Sequence, residues 1–145
     1  MKIYNIIEAV NVVIEEIQKR GMSISKLSYV NNNRHAVIKT HSRNSFYILF
    51  KRDFFHSFGN IFGNVSGIGE SINESCLRRI IESEIKNILI VYANGYIYRI
   101  SPERWVEYAK KYRTIRITKT EEKDYGFGNE RTYSISIKEL ERWNG

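Results

Sequence analysis

Apolar residues near the start of the chain recur every three or four positions, which is the spacing of one face of a helix. Glu8, Glu15 and Glu16 lie elsewhere on the helical wheel. Gly21 is placed to end the helix, because glycine adopts the left-handed conformation that commonly follows a last turn. The pattern predicts an amphipathic first helix, whose apolar positions are Ile3, Ile6, Ile7, Val10, Val13, Ile14 and Ile17.

Three short segments after this helix are rich in apolar and β-branched residues, as strands are. They are ISKLSYV, HAVIKT and SFYILF, which occupy residues 24–30, 35–40 and 45–50. Asparagines at 31–33 and the polar residues 42–44 separate them as turns. The third segment is apolar throughout, which predicts a central strand covered on both faces.

A glycine-rich segment follows the third predicted strand, with glycines at positions 59, 63, 67 and 69. Glycine reaches positive φ freely, so this spacing predicts a loop that bends sharply or lets a partner approach the backbone. Ser71 and Glu74 have the spacing of a capping box, which predicts that the loop runs directly into a helix. The apolar stripe of that helix places Cys76 in the core and consists of Ile72, Cys76, Leu77, Ile80, Ile81, Ile85 and Ile88.

The next segments predict a hairpin and another helix. NILIVY and YIYRI flank Asn94 and Gly95, a pair that favours a type I′ turn because both positions take positive φ. Ser101 followed by Pro102 predicts a helix start, with the serine as N-cap and the proline in the first turn. Trp105, Tyr108, Ala109 and Tyr112 share one side of this helix.

Residues 113–119 and 131–137 alternate apolar and polar positions, as two further strands do. The polar, glycine-containing residues 120–130 between them predict a turn. The complete order of elements predicts an α/β (α+β) fold with a mixed β-sheet flanked by helices and a C-terminal helix and hairpin. A length of 145 residues is that of one ordinary domain, so residues 1–145 are predicted to form a single domain.

Charge points to the class of partner. Lysine and arginine total 23 against 16 acidic residues, which gives a net charge of +7 and a pI near 9.5. Such a charge favours polyanions, because each neutralised phosphate releases counterions. Residues 34–53 carry five basic residues against one acid, and residues 99–119 carry seven against two. The alternative is a basic surface with no partner of its own.

The two basic segments supply the candidate contacts to DNA or RNA. Aromatic residues are interleaved with the basic ones, as in proteins that stack unpaired bases while cations hold phosphates. Phe55, Phe58, Phe62 and Phe127 lie in glycine-rich segments, so we expect exposed stacking residues among them. The candidate nucleic-acid-binding residues are Arg43, Lys51, Arg52, Lys110, Lys111, Arg113 and Arg116.

The number of cysteines and the pattern of the N-terminal segment indicate the cellular location of the protein. Cys76 is the single cysteine of the sequence, which excludes an intrachain disulfide and suits a reducing environment. Acidic and amide side chains interrupt the first apolar segment, so it has the pattern of neither a secretory signal nor a membrane span. The sequence predicts a cytoplasmic protein without a membrane partner, and it leaves a homodimer open.

The order helix, strand, strand, strand, helix, strand resembles the core of PD-(D/E)XK nucleases, the superfamily of restriction endonucleases and archaeal Holliday junction resolvases. That resemblance implies Mg²⁺ bound by an acid on the second core strand and by an acid two residues before a lysine on the third. Here HAVIKT contains no aspartate, and Leu49 stands two residues before Lys51. The resemblance therefore extends to the order of elements but not to this motif.

Glu70, Asp53 and Lys51 are the candidate catalytic residues for a nuclease with a displaced site. Glu70 is predicted at a helix start and Asp53 just after a central strand, and Mg²⁺ needs only one or two carboxylates besides substrate oxygens. Asp53 and Glu70 would bind the metal, and Lys51 would stabilise charge on the phosphate. The alternative is that Glu70 only stabilises the helix dipole.

The style of the sequence, rich in isoleucine and tyrosine, with ILFKRDFF, GESIN and IKELERW, also resembles small uncharacterised proteins of thermophilic archaea and their viruses and plasmids. The leading interpretation is nucleic-acid binding through a basic face and the glycine-rich loop. A metal-dependent, structure-selective nuclease and a non-enzymatic protein-interaction module are the alternatives.

Overall fold

The computed structural model describes residues 1–53, 56–59, 66–119 and 129–145, with only the backbone at 56–59, 66, 67, 118, 119 and 129. Its α-helices are α1 (Ile6–Lys19), α2 (Glu74–Glu82) and α3 (Pro102–Tyr112). Its strands are β1 (Ile24–Val30), β2 (His35–Thr40), β3 (Ser45–Lys51), β4 (His56–Gly59), β5 (Ser66–Asn73), β6 (Asn87–Tyr92), β7 (Ile97–Ile100), β8 (Ile115–Lys119), β9 (Asn129–Ser136) and β10 (Glu141–Arg142).

The chain contains two compact units. Unit 1 consists of Met1–Phe54, Ile85–Ser101 and Leu140–Gly145, and unit 2 consists of Phe55–Glu84 and Pro102–Glu139. Neither unit is one continuous segment of the sequence. The single domain expected for residues 1–145 stays a prediction.

Unit 1 is built on a six-stranded sheet in the order β1-β2-β3-β6-β7-β10. Strand β3 pairs with β6 in parallel, and the other neighbouring strands are antiparallel. The sheet is therefore mixed, and the predicted α+β class is confirmed. Strand β3 lies in the interior of the sheet, and five of its seven residues are buried, as its apolar sequence predicts.

Helix α1 covers one face of this sheet. Asn5 caps it, with its side-chain oxygen accepting a bond from the Glu8 N–H at 2.9 Å, and Gly21 follows it at φ +77°. The predicted apolar stripe is confirmed at Val10, Val13 and Ile17, which are buried, but it is wrong for Ile7, which is 58% exposed. Ile3 precedes the helix, and its N–H donates to the Ala93 carbonyl at 2.7 Å. The core below α1 consists of Ile3, Ala9, Val10, Val13, Ile17, Ala36, Ile38, Phe46, Ile48, Leu89, Val91, Ile97 and Trp143.

Unit 2 contains a second, antiparallel sheet in the order β4-β5-β9-β8. Helices α2 and α3 pack against β9. Trp105 is fully buried, and its indole N–H donates to the Tyr133 carbonyl at 3.0 Å, which joins α3 to β9. Cys76 is buried, as its position on the apolar stripe predicts.

The capping box predicted at Ser71 is wrong. Helix α2 begins at Glu74 after Asn73, whose side chain makes no capping bond, and Ser71 lies in β5. There it pairs with Ser134 of β9, and the two hydroxyl oxygens lie 2.7 Å apart. The pairing with β9 gives Ser71 a partner across the sheet, which competes with its local role as a helix cap.

The glycine-rich segment is also not a single loop, because it contributes β4 and β5. Glycine and serine hide the alternation by which a strand is recognised. Phe58 lies in β4, where only its backbone is described, and Phe55, Phe62 and Phe127 lie outside the described residues, as does most of the predicted turn at 120–130. The expectation of exposed stacking rings among them stays a prediction.

The hairpin at Asn94 and Gly95 is confirmed, but its turn type differs. Only Gly95 takes positive φ, at +91°, and its N–H donates to the Tyr92 carbonyl at 2.9 Å. The Tyr92 N–H donates to the Tyr96 carbonyl, so the loop has three residues. A type I turn closed by a left-handed glycine is the usual form of such a loop.

Among the described residues, no helix is long and apolar enough to cross a membrane.

Candidate nucleic-acid interface

The net charge of the chain belongs entirely to unit 1. Its segments contain 12 lysines and arginines against five aspartates and glutamates, whereas unit 2 contains 11 of each kind. The first predicted basic segment lies in unit 1, and most of the second lies in unit 2. Any attraction of a polyanion by net charge therefore originates in unit 1.

A groove of about 430 Å³ lies in unit 1 at the C-terminal end of β3. We call it the Lys51 groove. Three cationic side chains line it, and no carboxylate does among the described residues. The lining consists of Tyr4, Asn5, Ile6, Asn33, Arg34, His35, Phe50, Lys51 and Arg52.

The strand order explains how these residues meet. Strand β2 runs antiparallel to β3, so the start of β2 at His35 lies at the same end as Lys51. The Ala93 N–H donates to the Lys51 carbonyl at 3.1 Å, and the Ala93 carbonyl accepts from Ile3, just before α1. These two bonds hold the segment that leads into α1 beside the end of β3.

An unusual turn presents Arg34 at the groove. Asn31, Asn32 and Asn33 all have positive φ, between +54° and +60°, and the Arg34 N–H donates to the Asn31 carbonyl at 3.1 Å. Asparagine tolerates this left-handed conformation better than other residues with a Cβ. The turn leaves Arg34 exposed, without an ion pair among the described residues.

The start of α1 lies at the groove and is already next to a carboxylate, that of Glu8. The Glu8 N–H donates to Oδ1 of the N-cap Asn5, and Glu8 Oε2 accepts from the Tyr4 N–H at 2.6 Å, one residue before the cap. The Glu8 carboxylate thus takes the place that a ligand anion would occupy at the helix start. Side chains, rather than the helix dipole, supply the attraction for an anion in the groove.

The His35 ring contacts the side chains of Tyr47 and Asn31. Its Nδ1 lies 2.7 Å from the Tyr47 hydroxyl and 3.3 Å from Asn31 Nδ2, and the His35 and Tyr47 rings meet edge to face. The Asn31 amide N–H can only donate, so Nδ1 acts as the acceptor in that contact. The ring is thereby fixed in orientation at the wall of the groove.

The sequence-predicted cations fall into three places. Lys51 and Arg52 line the Lys51 groove. Arg43 is exposed in the turn before β3, at the opposite end of that strand. Lys110, Lys111, Arg113 and Arg116 belong to unit 2 and are all exposed at the end of α3 and on β8.

The premise of the metal-site hypothesis is wrong for Glu70. Glu70 lies within β5 opposite Ile135, four residues before α2, and it is 1% exposed rather than placed at a helix start. Lys51 and Asp53 belong to unit 1, whereas Glu70 belongs to unit 2. In the part of the chain that the structure describes, no group of three or more histidine, cysteine or acidic side chains could hold a metal ion.

Three arginines of unit 2 are paired with carboxylates. Arg104 contacts Glu139 at 2.8 Å and Glu107 at 3.5 Å, and the bond to Glu139 raises the pKa of Arg104. Arg78 and Arg131 approach Glu74 at 3.0 and 3.8 Å. These arginines stabilise their own unit and are less free to hold an external anion.

Unit 2 also has a more apolar groove of about 310 Å³ between α2 and α3. Leu77, Ile81 and Val106 line it, together with charged residues of α2 and Tyr133. This groove is the part of the described surface that fits the protein-interaction alternative, because it combines apolar side chains with a charged border.

Arg34 and Tyr4 line the Lys51 groove but are not among the candidate nucleic-acid-binding residues that the sequence indicates. The position of Arg34 follows from strand pairing. If β2 runs antiparallel to β3, it begins at the end of the sheet where β3 ends, which puts residue 34 near residue 51. Tyr4 depends on the bond between Ile3 and Ala93, which no local pattern indicates.

Comparison of the chain with known protein families, with curated proteins and with solved structures finds no match. Its chemistry is therefore inferred from its own residues.

Proposed function

We propose that this protein binds DNA or RNA through the Lys51 groove. The observation that carries the proposal is that Arg34, Lys51 and Arg52 all line one groove. Cations placed in this way neutralise backbone phosphates and release counterions from the nucleic acid. The location of the whole net charge in the same unit supports the proposal, since it attracts a polyanion from a distance.

Tyr4 supports a preference for unpaired bases. It is 59% exposed at the groove, and the ammonium of Lys2 lies 5.4 Å from the centre of its ring. An exposed ring beside phosphate-binding cations can stack on a base that is not paired, whatever its sequence. The proposed substrate is therefore a single-stranded or locally open nucleic acid, bound with little sequence preference.

The test is a fluorescence anisotropy titration with a labelled single-stranded oligonucleotide. Replacing Arg34 and Arg52 with glutamate should weaken binding at least about tenfold, because two attractive contacts become repulsive. Three phosphate contacts to a single strand predict a slope near −2 when log K is plotted against log salt.

The matched control carries the same change of charge in unit 2, with Lys110 and Lys111 replaced by glutamate. We expect a clearly smaller loss from this variant. Equal losses in the two double variants would assign binding to overall charge rather than to the groove. An absence of binding by the parent at low salt would reject the proposal.

The metal-dependent nuclease stays a prediction with a separate test. Junction, flap and single-stranded substrates are incubated with Mg²⁺ or Mn²⁺, beside Asp53→Asn and Glu70→Gln. Cleavage that both substitutions abolish would support that site, whereas cleavage that survives both would remove it.

A further inference from the structure

Strand β1 forms a long open edge of the sheet in unit 1. It has seven residues, it is the first strand in the order of the sheet, and among the described strands it pairs only with β2. The strand at the other edge, β10, has only two residues. The outer N–H and C=O groups of β1 can therefore pair with another extended chain.

Two apolar side chains of β1 are exposed on the face of the sheet that carries α1. Leu27 lies opposite Ile38 and Tyr29 lies opposite Ala36, and both of these partners belong to the core below α1. Helix α1 packs mainly against β2 and β3, so it covers this side of the sheet incompletely. Leu27 and Tyr29 are consequently 38% and 37% exposed.

Helix α1 extends the apolar surface beside β1. The flank of α1 that carries Arg20 faces β7, because Arg20 stacks on Trp143, whose N–H donates to a carbonyl of β7. Ile7 lies about 140° around the helix from Arg20, on the flank toward β1, and it is exposed. We call Ile7, Leu27 and Tyr29 the β1 margin. An exposed apolar patch beside an open strand edge indicates an interaction surface.

We propose that β1 pairs antiparallel with β1 of a second copy of this chain, about a two-fold axis perpendicular to the sheet at Ser28. Such an axis keeps the two α1 helices on the same face and makes the interface the same on both copies. Leu27 then lies opposite Tyr29 of the partner subunit, so the exposed side chains of the two strands cover each other. The two six-stranded sheets become one continuous sheet.

This register also separates the like charges of the two strands. Lys26 is the only charged residue of β1, and it lies opposite Val30 of the partner subunit. The two lysines are then four positions apart, or about 14 Å along the strands. An axis at Leu27 would bring them to about 7 Å, where like charges repel. An axis at Tyr29 would place Leu27 opposite Asn31 of the partner subunit, which leaves the apolar side chain without an apolar neighbour across the pair.

The size of the interface predicts a reversible dimer. A strand of seven residues is about 24 Å long, and it buries less than the area of about 800 Å² per partner that a standard interface has. We therefore expect monomer and dimer to exchange. The residues of β1 and Ile7 do not line the Lys51 groove, so this inference does not depend on nucleic-acid binding.

Sedimentation velocity of the full chain at a series of concentrations tests the proposal. We expect the fraction of dimer to rise with concentration and with salt, because salt screens the repulsion between two chains of charge +7. Nucleic-acid binding has the opposite dependence on salt, so the two proposals fail separately. A parent that stays monomeric up to about 500 µM would overturn the dimer.

Lysine substitutions in the β1 margin test which surface forms the dimer. Leu27→Lys combined with Tyr29→Lys should raise the dissociation constant at least about tenfold, because like charges then lie opposite each other. The matched control is Ile117→Lys, since Ile117 is 64% exposed on β8, an edge strand of the other sheet. It should leave the dissociation constant unchanged. A loss in the control and none in the double variant would assign the interface to β8 and overturn the proposal.

Ser28→Cys gives a result that misfolding cannot imitate. Residue 28 lies opposite itself at the axis, with Cα atoms about 4.5–5.5 Å apart, which is within the reach of a disulfide. This variant should form a covalent dimer under mild oxidation. Ser25→Cys, about 20 Å along the strands from its own copy, should not, and neither should the parent, whose Cys76 is buried. Equal cross-linking of the two variants would contradict the register and overturn the proposal.

Discussion

The two units differ in the balance of their charges. In unit 1, 12 lysines and arginines occur with five acidic residues, and Arg34, Lys51 and Arg52 line one groove. In unit 2, basic and acidic residues are equal in number, and Arg78, Arg104 and Arg131 all contact glutamates. Ion pairs also occur in unit 1, between Arg20 and Glu16 and between Arg99 and Glu141, so the units differ in net charge rather than in the presence of ion pairs.

The difference shows that the total charge of a chain says less than the distribution of that charge between its units. Unit 2 has almost as many lysines and arginines as unit 1, yet its acids balance them completely. Long-range attraction of a polyanion is therefore expected from unit 1 and not from unit 2.

The largest effect on stability should come from Glu74, the central acid of unit 2. Its carboxylate accepts from Arg78 and from the Tyr133 hydroxyl, both at 3.0 Å, and lies 3.8 Å from Arg131. Glu74→Gln should lower the free energy of unfolding by about 1–2 kcal/mol, because it removes charge from several bonds at once. Chemical denaturation measures this change.

Glu82→Gln is the matched control, since Glu82 is exposed on the same helix and forms no ion pair with the described residues. We expect a change within about 0.5 kcal/mol for this variant. Equal effects in the two variants would mean that the carboxylate of Glu74 does not organise unit 2.

Two buried tyrosines of unit 2 should contribute to the loss of stability at alkaline pH. Burial, and then the bond to Glu74, raises the pKa of Tyr133, and burial likewise raises the pKa of Tyr108. Below the ordinary tyrosine pKa near 10 both rings are neutral in the folded and unfolded states, and their contribution is fully present. As pH rises further, the unfolded chain ionises first, so this stability is lost.

Melting temperatures between about pH 9 and 11 test this effect. Tyr133→Phe should flatten the decline, because phenylalanine cannot ionise, while Tyr4→Phe at an exposed position should follow the parent. A decline that is the same in all three proteins would assign alkaline unfolding to other groups.

Local patterns predicted the elements of unit 1 well. The segments 24–30 and 35–40 coincide with β1 and β2, because alternation and the asparagine turn between them are local signals. The Lys51 groove could not be predicted in the same way. It needs the antiparallel register of β2 on β3 and the bond from Ile3 to Ala93, which join residues distant in sequence.

Unit 2 was predicted less well, and Glu70 shows why. Its neighbours are glycine, serine and isoleucine, which locally favour a turn and a helix cap, whereas pairing with β9 decides the outcome. Assigning a strand residue to a helix start in this way places a buried side chain at the surface. The hypothesis of a metal site was built on that misplaced residue.

Salt should affect the two units in opposite directions. Screening weakens the repulsion among the 12 cations of unit 1, and it also weakens the ion pairs of unit 2. Between about 0.01 M and 1 M salt we expect amide exchange to slow in β6 and to quicken slightly in β9. Hydrogen exchange followed by NMR measures each strand separately. Changes of the same sign and size in both strands would show that one global equilibrium controls both units.

The smallest expected effect concerns the pair of Arg78 and Glu74, four residues apart on α2. Their atoms lie 3.0 Å apart, but the Arg78 side chain is 62% exposed, so water competes for the contact. Arg78→Gln should cost about 0.3 kcal/mol, and Arg79→Gln on the same helix should cost less. A double-mutant cycle of Arg78→Gln with Glu74→Gln isolates the coupling, which we expect to be about 0.3–0.5 kcal/mol. A coupling above about 1 kcal/mol would mean that Glu74 depends mainly on this arginine rather than on Tyr133 and Arg131.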